Sequence, residues 1–352
     1  MKIKSLLIGS AAIMGGVSAA QAADMVVVPE PEPMEYVRVC DVYGAGFFYI
    51  PGTETCLKIG GYVRYQIDWS EDDDGWRKLA RGTLTIDARS ETEYGTLGGF
   101  IEFRANSSSS APTAVGAINE GGFLSHGAGG SVGLQQAILS LGGLSMGLSD
   151  TLYDAGLSGE FDSGGGARVH FIRYTFDAAN GVFVSVALEE ADTNYDYTPN
   201  VVGNVGVAQA WGSLNVWGAY DATAEEWAAK AIAKIKATQA LTLELLATYE
   251  SDQSFYSVNN NVPLLATGFN AGYEWSAGGY LKFAATPKLS VGVGGQYFSE
   301  AHDIGGDDYA IGGVVDYALV ENFNTKLAVN YRDGDNYADG VFSGFVRFDR
   351  NF

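Results

Sequence analysis

Few side chains in this chain are arranged for covalent or metal chemistry. The three histidines, His126, His170 and His302, include no pair at the spacing of zinc ligands, and there is no G-x-S-x-G motif for a serine nucleophile. A hydrolase would need a serine and a histidine on one face of a sheet. His170 is the only histidine in a strand-like segment, where a structural position is the simpler interpretation. We therefore predict no enzyme, no cofactor and no metal site.

The two cysteines are the remaining candidates for covalent chemistry. Cys40 and Cys56 are close in sequence, and in an exported protein such a pair is expected to form a disulfide. A metal site made by two cysteines alone is improbable. Closing a loop of this length contributes about 3 kcal/mol to stability in the chain-entropy treatment. The disulfide would hold the residues just before the first long strand-like segment.

Export is predicted by the amino terminus. Lys2 and Lys4 precede a short apolar stretch at residues 5–17, and Ala20-Gln21-Ala22 has the small-x-small pattern of a signal-peptide cleavage site. We expect cleavage after Ala22. The apolar stretch is too short to span a bilayer, and no later run of about 18 apolar residues predicts a membrane helix.

The strongest pattern is a period of two, the period of a β-strand. In the last segment, VFSGFVRFDRNF from Val341 to Phe352, apolar and aromatic residues occupy one parity and polar residues the other. The same alternation begins at Leu57 and recurs along the chain. Strands with one apolar and one polar face are typical of a barrel that separates lipid from a wet interior.

About 16 strand-like segments can be counted, and their connections alternate between short turns and longer, often acidic loops. This combination predicts an all-β fold, a transmembrane antiparallel up-and-down β-barrel with short turns on one side of the membrane. Residues 222–238 are rich in helix formers, but their place in the series of strands favours a strand. The expected organisation is a signal peptide at 1–22, an N-terminal segment with the disulfide loop at 23–56, and the barrel at 57–352.

The charge balance excludes nucleic acid as a natural partner. The formal net charge is −21, and removal of Lys2 and Lys4 with the signal leaves 19 basic against 42 acidic residues, a net charge of −23. The acidic residues cluster in predicted turns. They either form solvated loop tips, bridge divalent cations to lipopolysaccharide, or make the mouth of a pore negative.

Three stretches resemble the alphaproteobacterial porins, which are trimeric general diffusion channels. They are YVRVCDVYGAGFFYIPGTETCLKIGGYVRY from Tyr36, WGSLNVWGAYDATAEEWAAK from Trp211, and the ending GFVRFDRNF. The resemblance extends over essentially the whole chain. It implies a homotrimer in the bacterial outer membrane that contacts lipid and lipopolysaccharide and passes small hydrophilic solutes through a water-filled channel. It also implies that the barrel-assembly machinery recognises Phe352 as an assembly signal.

The resemblance further implies an inward-folded constriction loop after the fifth strand, here Thr151 to Gly166. We expect Asp154, Glu160 and Asp162 of this loop to oppose basic residues on the wall, and so to create a field that favours polar solutes. The candidate wall residues, on the polar parity of the first three strands, are Arg64, Arg81, Arg89 and Arg104. Alternatively, these arginines form ion pairs within the wall with Asp68, Asp87 and Glu102.

Two other non-enzymatic functions remain possible from the sequence. A substrate-selective channel would line its path with aromatic residues, for which the candidates are Tyr62, Tyr195, Tyr197, Tyr256 and Tyr273. A structural or adhesive barrel would have a plugged lumen and no conductance.

Overall fold

The computed structural model describes residues 38–72, 75–109, 132–191, 198–263 and 270–352. The predicted signal peptide at 1–22 lies outside the described residues, and so do Tyr195 and Tyr197. None of the helices in the described part of the chain is long and apolar enough to cross a membrane.

Sixteen antiparallel strands form a closed barrel. Each strand pairs with its neighbours in sequence, and the last strand pairs with the first between Asn351↔Tyr62 and Ser343↔Ser70. The barrel strands are β2 (Cys56–Ser70), β3 (Arg77–Thr92), β4 (Gly95–Ser109), β5 (Val132–Leu141), β6 (Leu144–Asp150), β7 (Arg168–Asp177), β8 (Val182–Glu190), β9 (Asn200–Gln209), β10 (Gly212–Asp221), β11 (Glu226–Lys236), β12 (Leu241–Glu250), β14 (Asn270–Ala284), β15 (Leu289–Ala301), β16 (Asp308–Val320), β17 (Phe323–Gly334) and β18 (Val341–Asn351). Two short strands, β1 (Phe48–Tyr49) and β13 (Asn259–Pro263), pair with β2 and β14.

The predicted fold class is confirmed. The segment rich in helix formers is strand β11, in register with β10 and β12 along its length. The alternation of connections is less regular than predicted, because β10 and β11 are joined on the long-loop side by only the four residues 222–225.

The outward face of the wall is apolar, as the period of two predicts. Exposed valines, leucines and isoleucines such as Val186, Val293 and Ile311 cover it. Near the long-loop ends of the strands, aromatic rings contact each other across strands, including Trp227 with Tyr249 at 5.0 Å between ring centres. Rings at this position form the aromatic girdle that outer-membrane barrels place at the lipid–water boundary.

The segment before β2 is closed by the predicted disulfide. Cys40 and Cys56 are bonded, with their Cα atoms 6.0 Å apart, and both are buried with Phe47. A single 3₁₀ turn, Asp41–Tyr43, lies within the closed loop. Cys56 is directly opposite Arg89 on β3, so this segment lies at the short-turn end of the barrel.

Candidate functional site in the barrel lumen

The connection between β6 and β7, loop 151–167, folds into the barrel. Its Tyr153 and Phe161 side chains are buried, with exposed fractions of 0% and 1%. Its polar contacts begin at Glu189 on β8, the seventh barrel strand, and end at Arg347 on β18, the sixteenth. Because these strands lie on widely separated parts of a sixteen-strand ring, the loop crosses the lumen.

Lys230 on β11 is the central anchor of this loop. Its side chain is only 2% exposed. The ammonium group donates hydrogen bonds to three loop carbonyl oxygens, those of Tyr153, Ala155 at 2.9 Å and Gly164 at 2.6 Å. It also lies over the ring of Tyr153, 4.0 Å from its centre. A loop without regular structure must find partners for its buried carbonyl groups, and Lys230 supplies three at once.

Two other polar wall residues also form hydrogen bonds with the backbone of the loop. Glu244 on β12 accepts hydrogen bonds from the amide of Ser158 at 2.7 Å and from its hydroxyl at 2.6 Å. Gln296 on β15 accepts from the amide of Ser163 at 2.8 Å and donates to its carbonyl at 3.0 Å. These contacts hold the backbone of the loop against the wall at Ser158 and at Ser163.

Phe161 fits a notch in the wall formed by two glycines. Gly294 on β15 and Gly312 on β16 are directly opposite each other. A Cβ atom added at either position would lie within 3 Å of the Phe161 side chain. The ring also packs against Tyr280, 6.1 Å away between ring centres. Only residues without a side chain leave this space open, so the two glycines determine where the loop rests.

Of the three predicted loop acids, Glu160 meets basic wall residues. Its carboxylate lies 2.8 Å from the ammonium of Lys326 on β17 and 3.3 Å from the guanidinium of Arg347 on β18. Neither base was among the sequence-predicted site residues. The alternating polar parity of the last two strands carries both, but parity alone does not reveal which strands the loop tip reaches.

Asp162 and Asp154 have different surroundings. The Asp162 carboxylate accepts a hydrogen bond from the amide of Leu157 at 2.6 Å, which closes a turn inside the loop. Burial raises the pKa of Asp162 to about 6 in spite of this hydrogen bond. Burial also raises the pKa of Asp154, and the nearby Asp150 carboxylate adds to the effect. Asp154 lines a cavity of about 960 Å³ together with Gly165, Phe255 and Asn259.

The structure brings three of the four predicted arginines together. Arg64 on β2 is directly opposite Arg81 on β3, and Arg104 on β4 is opposite Thr83, two residues further along β3. Arg89 is eight residues from Arg81 along β3, about 26 Å at the rise of a strand. Its guanidinium lies over the rings of Tyr43 and Phe47 in the disulfide segment.

Each clustered arginine has a partner within the wall. Arg64 makes two hydrogen bonds to Asp349, at 2.7 and 3.0 Å. Arg104 pairs with Glu102 at 2.6 Å, whereas Arg81 donates to the amide oxygen of Asn106 at 2.8 Å. Two of the three charges are therefore directly balanced by carboxylates of the wall.

The lumen is packed unevenly around its circumference. One buried apolar cluster joins Tyr153, Leu157 and Phe161 of the loop to inward side chains of strands from β8 to β16, including Ile232 and Phe298. The arginines on β2 to β4 lie on the other side of the barrel. Within the described residues, no group of three or more histidines, cysteines, aspartates or glutamates is placed to hold a metal ion.

Comparisons with known proteins agree with this architecture. The sequence profile of the porin subfamily matches residues 24–349. Porin Omp2b of Brucella suis biovar 1 is 36% identical over 387 aligned positions, and porin Omp2a of the same strain is 37% identical over 382; both alignments cover 100% of each chain.

Solved structures share the fold at low sequence identity. Outer-membrane expressed OmpT of Vibrio cholerae has a TM-score of 0.61 and 13% identity, covering 86% of this chain and 99% of that one. The anion-selective porin from Comamonas acidovorans has a TM-score of 0.58 and 10% identity, covering 85% and 100%.

Proposed function

The chain belongs to the porin subfamily and forms a diffusion channel in the bacterial outer membrane, and we propose that solutes cross it between loop 151–167 and the wall of β2 to β4. The observation that supports this path is the uneven packing of the lumen. The loop lies against the wall from β8 to β18, with its apolar side chains buried against β8 to β16. The water-filled space is then next to Arg64, Arg81 and Arg104.

The charges on the two sides of this path have opposite sign. Glu160 and Asp154 lie on the loop, where Lys326 and Arg347 already balance Glu160, and the three arginines lie on the wall. Opposed charges across a narrow aqueous passage orient water and favour small polar solutes over apolar ones. Because Asp349 and Glu102 neutralise two of the arginines, we expect Arg81 to contribute most to the positive side of the passage.

We also propose that three copies assemble, as one OmpT structure described as a trimer form does. Outer-membrane lipid and lipopolysaccharide would surround the trimer. The barrel-assembly machinery would recognise the terminal strand with Phe352. We further propose that residues 1–22 are a signal peptide that is removed. Residues 23–56 would then form an N-terminal segment, with the disulfide loop, that is distinct from the barrel.

Planar-bilayer recording of the purified protein tests the channel function. We expect stepwise conductance increases from single trimers, with current proportional to salt concentration. Conductance that saturates with one particular solute would instead favour a substrate-selective channel. A complete absence of conductance steps would contradict the proposal and favour a structural or adhesive barrel.

The zero-current potential in a salt gradient tests the path itself. Neutralising the loop acids together should shift this potential toward anions, and replacing the clustered arginines should shift it toward cations. The two sets are Asp154, Glu160 and Asp162, and Arg64, Arg81 and Arg104. Arg89→Gln is the matched control, because that arginine lies about 26 Å along the strand from the cluster and should have little effect. If neither set moves the potential, loop 151–167 does not line the path.

A further inference from the structure

Residues 251–263, the described part of the connection between β12 and β14, also reach into the lumen. Near the middle of segment 251–263, the Tyr256 hydroxyl donates to Glu189 on β8 at 3.1 Å. Four residues later, the Asn260 side chain accepts a hydrogen bond from Arg332 on β17 at 3.1 Å. These are the seventh and fifteenth strands of a sixteen-strand barrel, so they lie on opposite walls. The side chains of Tyr256 and Asn260 therefore connect segment 251–263 to opposite walls of the barrel.

Segment 251–263 and loop 151–167 share their wall partners. Glu189 accepts hydrogen bonds from the Thr151 hydroxyl and from the Leu152 amide, the latter at 2.7 Å, as well as from Tyr256. Arg332 likewise donates both to Asn260 and to the Phe161 carbonyl, the second at 3.4 Å. One buried acid and one base thus each hold both segments.

The two segments also touch directly. The amide of Asn259 donates to the hydroxyl of Ser163 at 3.2 Å. The rings of Tyr153 and Tyr256 pack edge to face, 5.4 Å apart, and both side chains are fully buried. Glu189 is also fully buried, so its hydrogen bonds are shielded from water. A displacement of either segment would break contacts of the other.

We propose that segment 251–263 is a second lumen element that holds loop 151–167 in place, and that Tyr256 is the positioning residue that links the two through Glu189. This inference rests on the proposed function, because its consequence is seen in the current through the channel. With the link intact, the two segments move as one unit and the passage keeps a constant width. Without it, loop 151–167 makes more frequent excursions into the passage and interrupts the current.

The test compares Tyr256→Phe with Tyr273→Phe in single-trimer recordings. Tyr273 is also fully buried, but it donates to Asp308 and packs on Phe298, 5.1 Å away between ring centres. Loss of a hydrogen bond to a charged group changes an equilibrium about tenfold or more. We expect Tyr256→Phe to raise the frequency of brief closures about tenfold and to lower the voltage at which channels close, with the fully open conductance unchanged. Tyr273→Phe should leave closures at the wild-type frequency.

A chemical measurement gives an independent readout. In an Ala155→Cys background, which leaves every hydrogen-bonding side chain between the two segments in place, a water-soluble methanethiosulfonate reagent should modify the new, partly buried thiol several times faster with Tyr256→Phe than with Tyr273→Phe. Equal closure frequencies and equal modification rates in the two variants would overturn the inference. A purely structural role would instead lower the melting temperature of both trimers alike, with no difference in gating.

Failure of the proposed function and failure of the inference about segment 251–263 give different results. If the wild-type trimer shows no conductance, the proposed function is wrong. If the wild type conducts normally and Tyr256→Phe behaves like Tyr273→Phe, only the inference about segment 251–263 is wrong.

Discussion

Replacing Lys230 with methionine should loosen loop 151–167 without removing it from the lumen. Methionine has a similar length and fills the same buried space, but it cannot donate hydrogen bonds. The substitution leaves the carbonyl groups of Tyr153, Ala155 and Gly164 without their shared donor. The loop keeps its bonds to Glu244 and other wall residues.

The size of the effect follows from two opposing contributions. Three hydrogen bonds from a charged donor are lost, each contributing about 1.5–3 kcal/mol, while the cost of burying an ammonium group is removed. We expect a net loss of about 3 kcal/mol for the seated position of the loop. Since each 1.4 kcal/mol is about tenfold, the displaced position becomes roughly a hundred times more populated relative to the seated one.

Single-channel recording measures this change as low-frequency current noise and as additional conductance levels. Lys236→Met is the matched control, because it removes the same charge from the same strand at an exposed position near the short-turn end. We expect Lys230→Met to increase the noise strongly and Lys236→Met to have little effect. If the Lys230 variant conducts as quietly as the wild type, the three carbonyl contacts do not hold the loop and our account of its anchoring is wrong.

Four further outcomes are expected. Gly312→Val should displace Phe161 from its notch and change the open conductance, whereas Gly313→Val, where an added Cβ has no neighbour closer than 3.7 Å, should not. Because burial raises the pKa of Asp162 to about 6, the loop loses negative charge between pH 7 and pH 5, so the zero-current potential should shift toward anions over this range and the shift should be smaller in Asp162→Asn, which retains Asp154. The raised pKa also means that the seated loop is more stable below pH 6, where the acid is neutral, than above it, which predicts less current noise at pH 5. Replacing both cysteines with serine removes a contribution of about 3 kcal/mol and should lower the yield of folded trimer with little change in conductance.

The strands of the barrel could be predicted from the sequence because their pattern is local. A strand that separates lipid from water must alternate, whatever its neighbours are, so each of the sixteen segments carries its own evidence. Even β11, with its many alanines and lysines, follows the pattern once it is placed in the series. The disulfide could also be predicted from the sequence, because Cys40 and Cys56 are the only two cysteines and have no other cysteine to pair with.

The partners of the loop acids could not be predicted in the same way. Parity shows that Lys326 and Arg347 point inward, but it also points Arg64, Arg81 and Arg104 inward. The choice among them depends on which wall the loop meets after it crosses the barrel. That is set by contacts between residues more than a hundred positions apart, such as Glu160 with Lys326.

The inward parity of a porin strand serves two purposes that the sequence does not distinguish. On β2 to β4, polar inward residues such as Arg81 lie beside the proposed water path. On β11 and β12, polar inward residues such as Lys230 and Glu244 are buried, and they bind the backbone of a loop that has no regular structure to satisfy its own polar groups. The same alternation of polar and apolar residues thus encodes both the wall beside the water path and the wall that binds the loop. The two kinds of wall become different only when the barrel closes and the loop packs against the strands from β8 to β18.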